Sequence, residues 1–361
     1  MHTIEDGNVR DTGLKTDPLL TVVVPVYNGG PQLARCLDAL LASDFPHYEI
    51  VVVDDGSTDD SACLARARGV QVIQTNSQSG PAAARNLGAS HALGSIIVFV
   101  DADVVVRRDT LSRLAARFRA QNIAAVFGSY DDAPPAAGFV SQYKNLQHHF
   151  VHQQSSAEAE TFWAGCGAIR RKAFEAVGGF DESKYKKPSI EDIELGYRLR
   201  RKDFKIVLDQ KLQVTHLKRW TLRSLLITDI FNRALPWSRL ILENEGMIKD
   251  LNLRVRDRAC AALTGLAFAF LMLSYFSLAF LPLMLAALGV VFLLNRRFFG
   301  FLKARCGQWF ALRAFPLLAL YYFYSGTIFV LCYFAHVIRN VFGGTRLGQQ
   351  SAGPGRVKDA S

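Results

Sequence analysis

The chain has 361 residues, half of them hydrophobic, with 42 Lys and Arg against 32 Asp and Glu and a net charge of +10. That apolar content excludes a disordered chain, and the length allows one large or two ordinary domains. The six cysteines (36, 63, 166, 260, 306 and 332) include no Cys-x-x-Cys pair and read as reduced, mostly buried thiols, so no disulfide scaffold is expected. The basic surplus calls for no nucleic acid. Much of it flanks apolar segments, where anionic lipid is the simpler partner.

In chain order, residues 1–18 are polar with mixed charge and lack the apolar core of a signal peptide. They are expected to form a flexible segment ahead of a cytoplasmic domain. From Leu19 the pattern alternates strand and helix. The strand LLTVVVPV (19–26) ends at a turn, Asn28-Gly29-Gly30, and a helix carrying Leu33, Leu37, Leu40 and Leu41 follows. Next come a strand at 49–54, a turn at Gly56, a helix around 59–68 and a strand at 70–75. A helix with Pro81 in its first turn and the strand IIVFV (96–100) complete the series. Apolar strands joined by helical crossovers predict a mostly parallel α/β sheet.

The strand 96–100 runs into Asp101 and Asp103, two positions apart. Side chains at i and i+2 of an extended chain point the same way, so both carboxylates can face the carboxyl edge of the sheet, where ligands bind. Asp54 and Asp55 end a neighbouring strand at that edge. Four carboxylates in one cleft repel one another unless cations offset them, and hard oxygen ligands suit Mg²⁺ or Mn²⁺ held against a diphosphate.

Residues 221–244 mix Leu and Ile with Arg, and Pro236 is expected to kink a helix lying on the membrane face. Residues 259–294 carry no charge and are expected to form two short crossings with a turn near Ser274 to Pro282. Residues 314–335 form a third apolar segment. The expected organisation is therefore a catalytic domain at 19–220, an interfacial helix and basic linker at 221–258, a multi-pass membrane region at 259–338 and a polar tail at 339–361. Arg254, Arg256 and Arg258, and the basic residues between 296 and 313, fit the cytoplasmic side. The basic tail does not fit, because three crossings would put it outside.

PVYNGG (25–30), VVDDGSTDDS (52–61), GPAAARNLGA (80–89) and FVDADV (99–104) resemble the nucleotide-binding half of family 2 glycosyltransferases, which have the GT-A fold. GCGAIRRKAFEAVGGFDE (165–182) and SIEDIELGYRLRR (189–201) resemble the acceptor half, in the family's order, over roughly residues 19–220. The resemblance implies that Pro25, Tyr27 and Asp54 or Asp55 hold the nucleoside and that Arg85 lies near the nucleotide or its diphosphate. Asp103, with Asp101 and His216, would anchor a divalent metal. Gly165 and Glu191 would belong to the substrate site, and Asp192 would be the general base of an inverting transfer. Ser189-Ile190-Glu191-Asp192 equally fits a helix-capping pattern. His148, His149 and His152 sit in a polar helix pattern and are not expected to bind metal.

Two departures from the family pattern stand out. The first loop lacks the acidic residue that many relatives carry after the Asn. Where polysaccharide synthases have Gln-x-x-Arg-Trp, this chain reads DIFNRALPW, so Arg233 and Trp237 either touch the donor or, as the first expectation, anchor the helix at the headgroups. Single transfer is therefore expected over processive polymerisation. The implied partners are a nucleotide-diphosphate sugar, with uridine favoured, and a membrane lipid or lipid-linked acceptor. The alternative is a non-catalytic membrane scaffold of the same fold.

Overall fold

The structure, a computed structural model, describes residues 19–243 and 254–343. The expectations for 1–18, for 244–253 of the linker and for the tail from 344 lie outside the described residues. Parallel strands Leu20–Val26 (β1), Tyr48–Asp54 (β2) and Gln71–Gln74 (β3) alternate with helices Gly30–Leu41 (α1), Ser61–Arg66 (α2) and Pro81–Ser90 (α3). Then follow Ile96–Val100 (β4), Val104–Val105 (β5), helix Thr110–Arg117 (α4), Ile123–Tyr130 (β6) and the long helix Phe139–Gln154 (α5). Strands Glu158–Ala159 (β7) and Cys166–Arg170 (β8), helices Arg171–Ala176 (α6) and Glu191–Arg201 (α7), and strand Lys205–His216 (β9) complete the α/β part.

Among the described residues the sheet runs β3-β2-β1-β4-β8-β6-β9-β5, with β7 paired to β9. The sheet is mixed: β1 to β4 are parallel, and β8 lies antiparallel between β4 and β6. The branched aliphatic runs of β1, β2 and β4 are buried on both faces, as the crossover pattern requires. Each buried Val or Ile contributes roughly 1.5–3 kcal/mol. Gly80, at φ +97°, enters α3 so close to Lys186 that a Cβ would lie 2.3 Å from its carbonyl oxygen. Only glycine fits there.

The segment after β9 forms helix Leu222–Ile227 (α8), a π-helical stretch Thr228–Ala234 and helix Leu235–Glu243 (α9). Pro236 causes the irregularity. It has no N–H to give the carbonyl of Asn232, four residues back, and that oxygen instead accepts from Ser189 Oγ at 3.1 Å. The expected kink is thus a change of helical pitch tied to the chain just before α7.

The C-terminal part departs from the expected three crossings. It consists of helices Val255–Leu273 (α10), Phe280–Leu294 (α11), Arg296–Cys306 (α12) and Gln308–Gly343 (α13). Helix α10 starts with three charged residues, Arg256, Asp257 and Arg258, and the 15 residues of α11 span only about 22 Å. Helix α11 then bends by 69° into α12. Among the described residues one helix, Gln308–Val341, is by itself long and apolar enough to cross a membrane, or two spans result if the bent pair counts as one. Phe268, Met272, Leu285, Leu293, Leu331 and Phe334 leave an apolar belt exposed on these helices. The α/β part does not stand clear of them: Tyr143 and Leu146 of α5 share a core with Phe298, Phe299 and Leu302 of α12 and with Leu318 and Tyr322 of α13.

Candidate active site

A cleft of about 1300 Å³ opens at the carboxyl edge of the sheet and continues past the π-helical stretch to α10 and α13. Pro25 and Tyr27 line one end, with Asp55 nearby. Asp55 is buried and accepts from the backbone N–H groups of Ser79 (2.8 Å) and Gly80 (2.7 Å), so it holds the loop that opens α3. Asp54 does not line the cleft. It is fully buried beneath the loop, and its Oδ1 accepts from Ser57 N at 3.0 Å. Gly165 also stays out, contrary to expectation. Its carbonyl extends the β4–β8 ladder by accepting from Asp101 N, and the indole of Trp163 covers its α-carbon.

Asp101 and Asp103 separate immediately. Asp101 Oδ1 meets Arg85 Nη2 at 2.7 Å, and Arg85 Nη1 reaches Glu191 Oε1 at 2.9 Å. Arg85 therefore lies between two carboxylates from distant parts of the chain, and both its Nη groups are engaged. Asp103 is carried to His216 because β5 pairs with the end of β9, Val104 opposite His216, and Leu217 N donates to the Asp103 carbonyl. His216 Nε2 then sits 3.4 Å from Asp103 Oδ2. Burial works against ionisation of Asp103, yet the hydrogen bond from His216 and the charges of His216 and Lys218 bring its carboxyl below the usual range.

The expected set of three metal ligands is not assembled: among the described residues no three His, Cys, Asp or Glu side chains converge on one point. Asp103 and His216 do fit a divalent ion as a pair. His216 Nδ1 donates to Asn145 Oδ1 at 2.7 Å, which leaves Nε2 aimed at a carboxylate oxygen. Two ligand atoms about 2.1 Å from one ion, at a near-tetrahedral or octahedral angle, lie about 3–3.4 Å apart. The remaining positions would be open to diphosphate oxygens.

Asp192 lies in the first turn of α7 and faces the same cleft. Its Oδ2 accepts from Ala164 N at 3.1 Å and its Oδ1 from Ile193 N at 2.8 Å. Burial, reinforced by the Glu191 charge and only partly offset by Arg85, pushes its carboxyl up to about 6. Ser189 does not cap the helix, since its hydroxyl goes to Asn232, so the capping pattern is not realised as such.

Arg233 and Trp237 both line the cleft, and their side-chain hydrogen bonds are made within the protein. Trp237 Nε1 donates to Tyr197 OH at 3.1 Å, and Arg233 Nη1 meets His148 Nε2 at 2.8 Å. Burial and the Arg233 charge push His148 well below its ordinary pKa, so it accepts as a neutral ring. Several site residues were not anticipated. Tyr130 stacks on His216 at 4.1 Å, Lys218 enters the cleft, and Lys144 pairs with Asp229 at 2.7 Å. Lys218 could have been found, because it follows His216 at the i+2 spacing that puts side chains on one side of a strand. Asn145 and Tyr130 carry no such signal.

Residues 21–178 match the family model Glycosyl transferase family 2. Glycosyltransferase GlyG of Streptococcus pneumoniae is 31% identical over 161 residues, 43% of this chain and 54% of that protein. Glycosyltransferase AglE of Haloferax volcanii is 29% identical over 177 residues, 46% of this chain and 57% of that one. The chain thus spans little more than half the length of these two curated relatives. Among solved structures, the mannosyltransferase PcManGT from Pyrobaculum calidifontis, in complex with GDP-Man and Mn²⁺, superposes with a TM-score of 0.54 at 19% identity. That superposition covers 91% of this chain and 88% of PcManGT, and at this identity it speaks for the fold. Residues 21–178, which carry Asp55, Asp101 and Asp103 at the sheet edge, thus match a glycosyl transferase family 2 domain on a GT-A-like fold, and a long apolar C-terminal helix follows.

Proposed function

We propose that the protein is a membrane-bound inverting glycosyltransferase. It would move a sugar from a nucleotide-diphosphate donor to a hydroxyl or phosphate oxygen of a membrane-associated, lipid-linked acceptor. The observation that carries this reading is one continuous cleft with Tyr27 and Asp55 at one end, Asp103 and Asp192 in its walls, and apolar helices at the other end. Pro25 and Tyr27 would flank the nucleoside. Asp103 and His216 would hold Mg²⁺ or Mn²⁺, which stabilises the departing diphosphate. The relatives named as glycosyltransferases, and a structural neighbour bound to GDP-Man and Mn²⁺, support this donor class.

For a hydroxyl acceptor, Asp192 takes the proton as the oxygen forms its bond to the anomeric carbon. The bond from that carbon to the diphosphate oxygen breaks, and the nucleoside diphosphate leaves with the electron pair. Arg85 has a supporting role: it keeps Asp101 and Glu191 from repelling one another beside Asp192. The test is nucleoside-diphosphate release by the detergent-purified protein over a panel of UDP- and GDP-sugars, with Mn²⁺ and native membrane lipid present. Release from one donor is expected. No release together with no nucleotide binding would leave the scaffold reading in its place.

A further inference from the structure

Between Asp192 and the apolar helices the cleft passes a stretch, the neck, lined by Lys144, Lys218, Asp229 and Arg233. The carboxylate there, Asp229, is already engaged: its Oδ2 receives both Lys144 Nζ at 2.7 Å and the hydroxyl of Tyr324 at 2.8 Å. Arg233 lies 4.0 Å from the other oxygen, and its short contact is to the uncharged ring of His148. Among the described residues Lys218 makes no ion pair within 4.0 Å, and its ammonium rests over the Trp220 ring at 4.4 Å. Arg233 and Lys218 thus both line the cleft with no carboxylate closer than 4.0 Å among the described residues.

Beyond the neck the cleft continues as a slot between α10 and α13 that is mostly apolar, with Asp257, Arg258, Ser325 and Thr327 also in its lining. Helices α10 and α13 approach closely at Gly326, where a Cβ would meet Ala261 at 3.2 Å. One turn further along α10, a Cβ at Gly265 would meet nothing within 4 Å. The opening is lined by Ala262, Gly265, Phe329 and Val330. Cations at the neck beside a mostly apolar slot match an amphiphile with an anionic head and a hydrocarbon chain.

We propose that Arg233 and Lys218 form the site for the phosphate of a single-chain lipid phosphate, whose hydrocarbon lies in the slot between α10 and α13. This rests on the transferase reading above and narrows its acceptor to a phosphate-bearing lipid. Neither residue then serves the donor; each fixes the acceptor relative to Asp192.

The full chain in phosphatidylcholine nanodiscs is titrated with farnesyl phosphate, farnesol and inorganic phosphate, and nucleotide binding with Mn²⁺ is measured in parallel. Farnesyl phosphate is expected to bind about tenfold or more tighter than either of the others, because charge-assisted hydrogen bonds and apolar contact act together. Arg233→Ala with Lys218→Ala should abolish the preference over farnesol. Equal binding of farnesyl phosphate and farnesol by the wild type overturns the site, and this comparison stands even if the double variant does not fold. An unchanged preference in a folded double variant also overturns it. Displacement by an equal concentration of phosphatidylglycerol would assign the cations to bulk anionic lipid instead. Loss of wild-type nucleotide binding counts against the transferase reading, not against the lipid site.

Discussion

Replacing Asp192 with Asn removes one proton acceptor and leaves the shape of α7 almost unchanged. Moving a carboxyl from its ordinary 3.8 up to about 6 means the folded protein disfavours the ionised form by at most about 3 kcal/mol. Asp192 is only half-buried, so solvent screening makes that an upper bound. An amide cannot accept from both Ala164 N and Ile193 N through two oxygens as the carboxylate does. The lost acceptor costs about 1–3 kcal/mol. The net expectation at pH 7.5 is a stability within about 2 kcal/mol of wild type, and donor-dependent nucleotide release with a hydroxyl acceptor falls by about 10²–10⁴-fold. The pH dependence gives a second readout. Because the folded carboxyl titrates above the unfolded one, Asp192 contributes stability that is fully present below pH 3.8 and is lost as pH rises through about 6. The catalytic form is the ionised one, so wild-type activity with a hydroxyl acceptor should climb across that same limb and level off above pH 7. The assay is nucleotide release between pH 5 and 8, with thermal unfolding in detergent as the control. An Asp192→Asn protein that keeps most of the wild-type rate would refute the assignment of the base.

Asp103→Ala is expected to abolish Mn²⁺-dependent nucleotide binding in calorimetry while the thermal midpoint stays close to wild type. Asn145→Leu removes the acceptor that orients His216, and Mn²⁺ affinity measured by electron paramagnetic resonance should fall about 10–100-fold with Asp103 intact. Lys144→Met leaves the buried Asp229 with only the Tyr324 hydroxyl and the more distant Arg233, and should cost about 3–5 kcal/mol, read as a lowered unfolding temperature. Adding Asp229→Leu should recover a good part of that loss. A double variant no more stable than Lys144→Met alone would show that the ion pair is not what Lys144 supplies.

The strands and helices from 19 to 100 were legible because branched aliphatic runs, glycine turns and Pro81 all agree on the same element boundaries. Asp103, His216 and Asp192 were found as separate residues, but only the β5–β9 pairing and the position of α7 bring them to one cleft. Local pattern was misleading where tertiary contacts decide. Asp101 follows the same strand as Asp103, yet the buried guanidinium of Arg85 claims it. Gly165 sits inside a recognisable motif, yet its backbone is used by the sheet and its open face by Trp163. The apolar run 259–294 contains the expected turn, but uncharged length alone could not reveal that α11 would stop after 15 residues and swing by 69°. Arg233 and Trp237 have a composition suited to lipid headgroups, and only their partners His148 and Tyr197 turn them inward.

The core that α5 shares with α12 and α13 has a consequence for synthesis. Helix α5 leaves the ribosome with the sheet, but Tyr143 and Leu146 find their partners only when residues 298–322 have been made. In the interval the nascent α/β part carries an uncovered apolar face and a Lys144 that lacks Asp229. That face stays uncovered until α12 and α13 dock on α5, and until then the nascent chain can meet another copy of itself through it.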